Sequence, residues 1–511
     1  MKRIFFILLL LSFTHLSKAQ TSLQPYHWAW PYLDYLKTAG YLPNLNMTDR
    51  PWQKEDIYRA LQDIDLKTIP GSTAQMITLL KQVFSPNSSF AWHPGDSSVV
   101  LRPGGFARLN FIHSDFSSDK NVQYEMHPLL QANIGSHVTL YANYKIFNNP
   151  PALYIGKKFR NLYAYEEQGY LDLNYRYARL KFGRDFLQTG PGRSGQLLFS
   201  DHSRPFDQYQ FQIGPQSIYL KFYGIQLDKR RVPDSAATYG GQVARRFING
   251  HGLYVNIKNK YYFSISEVAL YGGPNVNWQL ALMNPLNIYY GATANGPFMT
   301  ANSFYDVNFD FYLPQRINLY GDLLIDDFQV DKKEPGDLEP NEIGLLIGGK
   351  WTNPFRLPLS RLNFEYVQIR NRTYNAPIFD WEKFVHRNEA IGYYLGNDLK
   401  AWYGSFEKWW GARFYTKFFM RRILKGEGSI LGEFNKDYLN YTVDEGYDEP
   451  FPWGVVEKRL LLGVNVSYII LKELQINIKA SYNQYNNFLH VNNRKKKGIN
   501  FLVNCWFQFN K

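Results

Sequence analysis

The sequence predicts an all-β transmembrane protein: an antiparallel outer-membrane β-barrel of about 18 strands carrying a small N-terminal α-helical bundle or plug. Three observations carry this expectation. From Val99 onward apolar and polar residues alternate again and again, a period of two that belongs to strands and not to helices. The first residues form an export signal. Aromatic residues make up 17% of the chain while its mean hydropathy is −0.39, and no internal run approaches the ~18–20 continuous apolar residues of a spanning helix. Many aromatics at low hydropathy fit a barrel, in which lipid-facing residues are diluted by polar ones facing the lumen. A large soluble β protein has the same bulk numbers, so the signal and the alternation decide.

In the signal, Lys2 and Arg3 precede an apolar stretch from Ile4 to Phe13, and Ser17-Lys18-Ala19 offers a small-residue cleavage site. Residues 1–19 are therefore read as a signal peptide, with the mature chain starting at Gln20. No cysteine follows the site, so a lipoprotein anchor is not expected. Removal takes three basic residues and lowers the formal net charge from +13 to about +10. That balance suits anionic neighbours: outer-leaflet lipopolysaccharide and lipid, or acidic polysaccharide. Export excludes nucleic acid. Cys505 is the only cysteine, so no internal disulfide forms, and it is expected to be a small apolar residue of the last strand.

Residues 20–90 read as a periplasmic helical bundle. Trp30-Pro31 opens a helix with Tyr32, Leu36 and Ala39 at helical spacing, stopped by Gly40. Thr48-Asp49-Arg50-Pro51 reads as a second start, followed by Ile57, Ala60 and Leu61. Pro70-Gly71-Ser72 opens a third, with Ser72 and Gln75 at capping-box spacing and Met76, Leu79, Leu80 and Val83 as its stripe. Such helices bury their stripes against each other or against a barrel mouth. The Pro- and Ser-containing stretch Ser85 to Ser98 marks the boundary, and residues 91–511 are assigned to the barrel.

Within the barrel, Leu171, Leu173, Tyr175 and Tyr177 alternate with polar residues, as do Leu180 and Phe182 after them. Val307, Phe309 and Phe311 run into the turn Leu313-Pro314-Gln315-Arg316, and Ile317 to Ile325 returns. Leu460 to Tyr468 and Leu474 to Tyr482 form another pair around Lys472-Glu473. The final stretch, Ile499 to Phe509, puts Ile499, Phe501, Val503, Cys505, Phe507 and Phe509 on one face. So apolar an edge must be paired on both sides, and a strand that closes a ring meets that need. Long connections are expected at 148–166, 187–210, 284–300, 326–341, 370–405 and 425–457. About 400 residues at roughly 22 per strand and connection give about 16–20 strands.

The segment with the most unusual chemistry is Gly183 to Asp201, G-R-D-F-L-Q-T-G-P-G-R-S-G-Q-L-L-F-S-D. Its glycines permit close backbone approach, and Arg193 offers a rigid fork of donors that suits a phosphate or a sugar carboxylate. The alternative is a tight loop folded into the lumen, with Arg184 and Asp185 in a structural ion-pair network. This segment, with Pro205-Phe206-Asp207 after it, resembles the Wzi capsule-assembly family of outer-membrane proteins. Met283-Asn284-Pro285-Leu286-Asn287 and the stretch Leu319 to Phe328 support the resemblance. It implies an 18-stranded barrel with a periplasmic helical bundle, acting as a non-enzymatic surface lectin that retains and organises capsular or exopolysaccharide. It also marks Gly183, Arg184, Asp185, Gly190, Gly192, Arg193, Ser194 and Asp201 as a motif loop, structural or glycan-binding. No sugar-binding residue carries over.

Further stretches remain. Tyr35-Leu36, Gly40-Tyr41-Leu42 and Asn46 to Pro51 resemble an S-layer-homology helix–loop–helix, a wall-polymer binder; a plain plug helix pair is the competing reading. Trp402, Tyr403, Trp409 and Trp410, with Lys400 and Arg413, are the expected glycan contacts, because sugar rings stack on aromatic planes and cations hold acidic substituents. Tyr393, Tyr394 and Lys408 stand among them. An interfacial aromatic girdle explains the same residues. The acidic run Asp326, Asp327, Asp331, Glu334, Asp337, Glu339 and Glu342 lacks EF-hand spacing, leaving a diffuse Ca²⁺ site or a solvated loop. Asp201-His202-Ser203 cannot form a triad, since neighbours in an extended chain point to opposite faces. The histidines show no metal-ligand spacing. No cofactor, no metal and no enzymatic activity are expected. The function so read is polysaccharide anchoring at the surface. A porin-like or export-assisting channel, with export machinery as partner, and a cell-wall tether stand as alternatives.

Overall fold

The computed structural model describes residues 21–85, 91–92, 98–116, 122–149, 158–234, 239–293 and 301–509. The signal peptide read at 1–19 and most of the linker read at 85–98 lie outside the described residues, as do parts of the loops expected at 148–166 and 284–300.

Three helices come first: α1 (Trp30–Thr38), α2 (Lys54–Gln62) and α3 (Gly71–Phe84). The strands that follow are β1 (Val99–Ser114), β2 (Val122–Ile134), β3 (Val138–Phe147), β4 (Leu162–Tyr175), β5 (Ala178–Asp185) and β6 (Phe206–Ile213). Then come β7 (Ile218–Gln226), β8 (Val243–Ile257), β9 (Tyr261–Gly273), β10 (Asn302–Leu313), β11 (Ile317–Asp327) and β12 (Glu342–Thr352). The last six are β13 (Ser360–Ile369), β14 (Leu399–Trp410), β15 (Phe414–Lys425), β16 (Glu457–Leu471), β17 (Leu474–Asn486) and β18 (Lys495–Gln508). These 18 strands form a closed antiparallel barrel, each paired with its chain neighbours. The ring shuts where β18 pairs with β1, Leu109 opposite Cys505 and Ser114 opposite Asn500.

Tight turns, such as those at 176–177, 258–260, 411–413 and 472–473, all fall at one end of the barrel. The long connections fall at the other. By this asymmetry the short-turn end is periplasmic and the long-loop end faces out. The alternation of the last strand is realised as expected: Ile499, Phe501 and Phe507 are exposed on the outer wall, while Trp506 is 3% exposed and points inward. Inside, Trp506 stacks on Phe106 at 4.3 Å.

Helix α1 is buried on nearly every side, from Trp30 to Thr38, which is the condition of a helix inside a bore and not of one lying on a surface. It forms one apolar cluster with α2, α3 and the wall residues Phe106, Trp409, Tyr415, Ile469 and Trp506. The second helix starts later than the sequence suggests. Asp49 and Arg50 are extended and pair with Thr189 and Gln188, and α2 begins at Lys54. Tertiary partners outcompete local capping here: Asp49 accepts from Lys221 Nζ (2.6 Å) and Tyr219 Oη (2.9 Å), and Arg50 donates to the Gly190 carbonyl (2.9 Å). The capping box read at Ser72 and Gln75 does not form either, because Pro70 is the N-cap and no side chain caps the helix. The loop expected at 370–405 is shorter, since β14 starts at Leu399.

Candidate functional site

The motif segment does not sit on the outer surface. After β5, residues 186–201 fold into the lumen, where Leu187, Leu197, Leu198 and Phe199 pack among Tyr223, Ile248, Phe304 and Tyr374. Two of its glycines are required by conformation and space. Gly190 has φ +96°, and a Cβ there would lie 2.7 Å from Asp322 Oδ2; at Gly183, φ +124°, it would lie 2.2 Å from the Gly169 carbonyl. Gly192 is equally crowded, its would-be Cβ 2.0 Å from the Gly195 carbonyl.

This segment meets α1 at the centre of the barrel. Asp34, fully buried, holds three cations: Lys350 at 2.9 Å, Arg361 at 3.0 Å and Arg193 at 3.0 Å. Arg361 and Arg193 also reach Glu407, at 3.0 Å (Nε) and 3.4 Å. Glu365 accepts from the backbone amides of Arg193 (2.7 Å) and Ser194 (2.9 Å) and from Tyr320 Oη (2.9 Å). Three cations thus face three carboxylates, and helix, loop and wall are tied at one point. Burial alone would push the Asp34 carboxyl up, but Arg361, Lys350 and Arg193 hold it well below the usual carboxylate range. The segment is pinned at its start too. Asp185, fully buried, accepts from Ser22 Oγ (2.6 Å), Gln168 Nε2 (2.8 Å) and Lys181.

Arg184 does not pair with its neighbour Asp185. Adjacent residues of a strand point to opposite faces, and Arg184 instead makes a two-pronged contact with Asp207, both at 2.7 Å. Asp201 is exposed, with its amide donating to Gln196 Oε1 at 2.8 Å. Asp185, Arg193 and Ser194 thus tie the segment to plug and wall, whereas Arg184 bonds within the wall and Asp201 stays exposed.

The aromatic set divides by strand parity and by end. In β14 the odd residues face the lumen and the even ones face out. Trp409 is fully buried against Tyr35 of α1 at 4.6 Å, so it is part of the plug contact and not of a loop. Trp410 and Arg413 lie at the periplasmic turn, Trp410 donating to Thr416 Oγ1 and Arg413 to the Ile470 carbonyl, each at 3.0 Å. Nearer the outer end, Trp402 lies on the outer wall beside Tyr366 (5.4 Å), and Lys400 stands 4.8 Å from the Phe451 ring, which Arg370 approaches at 4.6 Å. Tyr403 turns inward, with Arg421 5.5 Å from its ring. In the acidic run, Asp326 accepts from the Tyr374 amide and Asp337 from the amides of Lys333 and Glu334. Among the described residues no group of three or more His, Cys, Asp or Glu is placed to hold a metal ion.

With this geometry the comparisons are direct. Residues 108–498 match the family model of the capsule assembly protein Wzi. The chain belongs to the Wzi capsule-assembly family. The Escherichia coli outer-membrane protein Wzi, involved in group 1 capsule assembly and described as a carbohydrate-binding β-barrel, is similar in structure, with TM-score 0.58 and 14% identity over 92% of this chain and 97% of that one. Pseudomonas aeruginosa OprD is similar at TM-score 0.46 and 12% identity, covering 80% of this chain and 95% of its own. No curated protein matches by sequence. The compartment is the outer membrane, with the N-terminal helices at the periplasmic end.

The sequence reading missed one group of side chains altogether. Lys417, Arg421 and Lys479 face the lumen beside Tyr403 and Phe419. The signal was available in part, since each falls on the inward parity of its strand beside the outward Phe418, Met420 or Ile478, but single cations in alternating strands read as ordinary polar filling.

Proposed function

We propose that this chain binds and anchors capsular or exopolysaccharide at the cell surface, without catalysis. The observation that carries the reading is the occupied bore. Helix α1 enters from the periplasmic end, residues 186–201 fold in from the other, and the two meet on Asp34. A barrel filled in this way offers its outer loops and the upper lumen as working surface, and a lectin needs no through-path. Lys400 and Arg370 flanking Phe451 at the outer rim supply the cation-and-ring pairing that suits a glycan with acidic substituents. Lipopolysaccharide around the outer rim and export machinery at the periplasmic face are the further partners this reading brings.

The test is the fate of the polymer in cells lacking the protein. Polysaccharide that is still made but shed into the medium is the expected result. An unchanged cell-bound amount removes the anchoring role from this chain. A channel would instead carry ions through the purified barrel in a planar bilayer, where we expect no conductance above baseline.

A further inference from the structure

We propose that a cavity in the lumenal wall formed by β14 to β18 and, across the closing seam, by β1 and β2 is a binding site for a carboxylate-bearing saccharide; the proposal rests on the glycan-anchoring reading and names the chemistry of its ligand. The cavity measures about 480 Å³, within the ~300–1,000 Å³ of small-molecule sites. Its position follows from strand parity. Phe418, Met420, Ile478 and Tyr482 are exposed on the outer wall, so Lys417, Phe419 and Arg421 on β15 and Lys479 and Asn483 on β17 face inward. The ladder sets Lys417 opposite Asn465 and Asn465 opposite Lys479, placing the two lysines on one rung with an amide between them.

Charge is what separates this wall from the rest of the lumen. Elsewhere in the lumen many cations are matched, Lys350 and Arg361 on Asp34, Lys181 on Asp185, Lys221 on Asp49 and Arg179 on Asp172, while buried Lys37 and Arg50 donate to backbone carbonyls. Among the described residues neither Lys417, Arg421 nor Lys479 has a carboxylate within 4.0 Å, and no acid lines the cavity. Glu407, which opposes Lys417 in the ladder, is already held by Arg361 and Arg193. Arg421 donates to Tyr394 Oη and Lys479 is open to solvent, so the three cations share one lumenal wall with no carboxylate bonded to any of them, and an anion seated between them relieves their mutual repulsion.

The ligand is a sugar acid and not a bare anion because of what surrounds the charges. The Tyr403 ring lies 5.6 Å from Lys417 Nζ, and the Phe419 ring lies 5.6 Å from both lysines. A flat ring beside an ammonium takes the C–H face of a pyranose while the cation takes its carboxylate. Asn483 Oδ1 is buried without a hydrogen-bond partner and accepts from a sugar hydroxyl, as Asn465 also can. Phosphate would use the cations alone.

The experiment uses the full chain in detergent and calorimetric titration with tri-galacturonate, neutral maltotriose and inorganic phosphate. Tri-galacturonate is expected to bind, more weakly as salt rises, and the Lys417→Gln, Lys479→Gln protein to bind it roughly tenfold or more weaker for each lysine removed. Absence of binding, equal binding of maltotriose, or an unchanged affinity in the variant overturns the proposal. Phosphate that binds as tightly and competes overturns its sugar part. Should the variant fail to fold, amine acylation of the wild-type protein decides: Lys417 and Lys479 are expected to be protected by tri-galacturonate, and equal labelling with and without it refutes the site. The polymer-shedding test does not probe this cavity, so anchoring can stand while the site falls.

Discussion

Replacing Asp34 by Asn tests the central tie. The carboxylate is fully buried and faces Lys350, Arg361 and Arg193 at 2.9–3.0 Å. Asparagine keeps the volume and removes the charge, leaving three cations against Glu407 and Glu365 alone. Breaking a buried ion pair by deleting one partner costs about 3–5 kcal/mol, because the remaining charge stays desolvated. The strand ladders do not depend on Asp34, so the loss falls on the seating of α1. An open state of the plug should then be more populated by roughly two to four powers of ten. Hydrogen–deuterium exchange of the 30–38 amides reads this directly, with the exposed Asp63→Asn as control. Because the Asp34 carboxyl is held below the ordinary range, its contribution is complete at neutral pH and is lost only as pH falls through that lowered value. Exchange in the Asp34→Asn protein within threefold of wild type would refute the claim that this carboxylate holds the helix in the bore.

Three further outcomes follow from the same geometry. His27 is buried, and that burial, with Lys54 nearby, lowers its pKa to about 3; its Nδ1 accepts from the Ala29 amide at 3.2 Å. The unfolded segment takes the proton first, so the His27 contribution to seating is full above about pH 6.5 and weakens as pH falls toward 3, by up to ~1.4 kcal/mol per unit, a component that His27→Gln should remove in the same exchange assay. Trp409→Ala should cost about 3–5 kcal/mol, seen as a lower temperature for loss of the heat-resistant barrel band in gels, whereas Trp402→Ala should leave that temperature unchanged. Gly190→Ala puts a Cβ 2.7 Å from Asp322 Oδ2 at φ +96°, and should cost about 1–3 kcal/mol, read as faster exchange of residues 186–201 with the barrel intact.

The barrel was legible in the sequence wherever two solvents act on one strand. In β18 lipid selects Ile499, Phe501 and Phe507 while the bore selects the alternate set, and that contrast is local information. Helix α1 was legible through the helical spacing of Tyr32 and Leu36 and the stop at Gly40, although its burial on nearly every side was not. What was not legible depends on distant partners. Asp49 and Arg50 look like a helix start until Lys221, Tyr219 and Gly190 claim them. Trp402 and Trp409 look alike in sequence, yet they stand seven residues apart in one strand and so on opposite faces and near opposite ends. The motif loop was recognisable by its residues, but nothing in 183–201 announces that Arg193 reaches a helix residue at position 34.

The β1–β18 seam bears on the order in which the molecule is built. Its two edges are the earliest and latest strands of the wall, so the circle stays open until the whole chain has been delivered. Residues 186–201 and α1 reach their tie through the two open ends of the ring, so the junction between them becomes confined once the seam is closed. Pairing so remote in sequence forms slowly. The Asp34 junction thereby joins the earliest helix to walls laid down much later: its partners Arg193, Lys350 and Arg361 come from the motif loop, β12 and β13, and the fastening is complete only when all of them are in place.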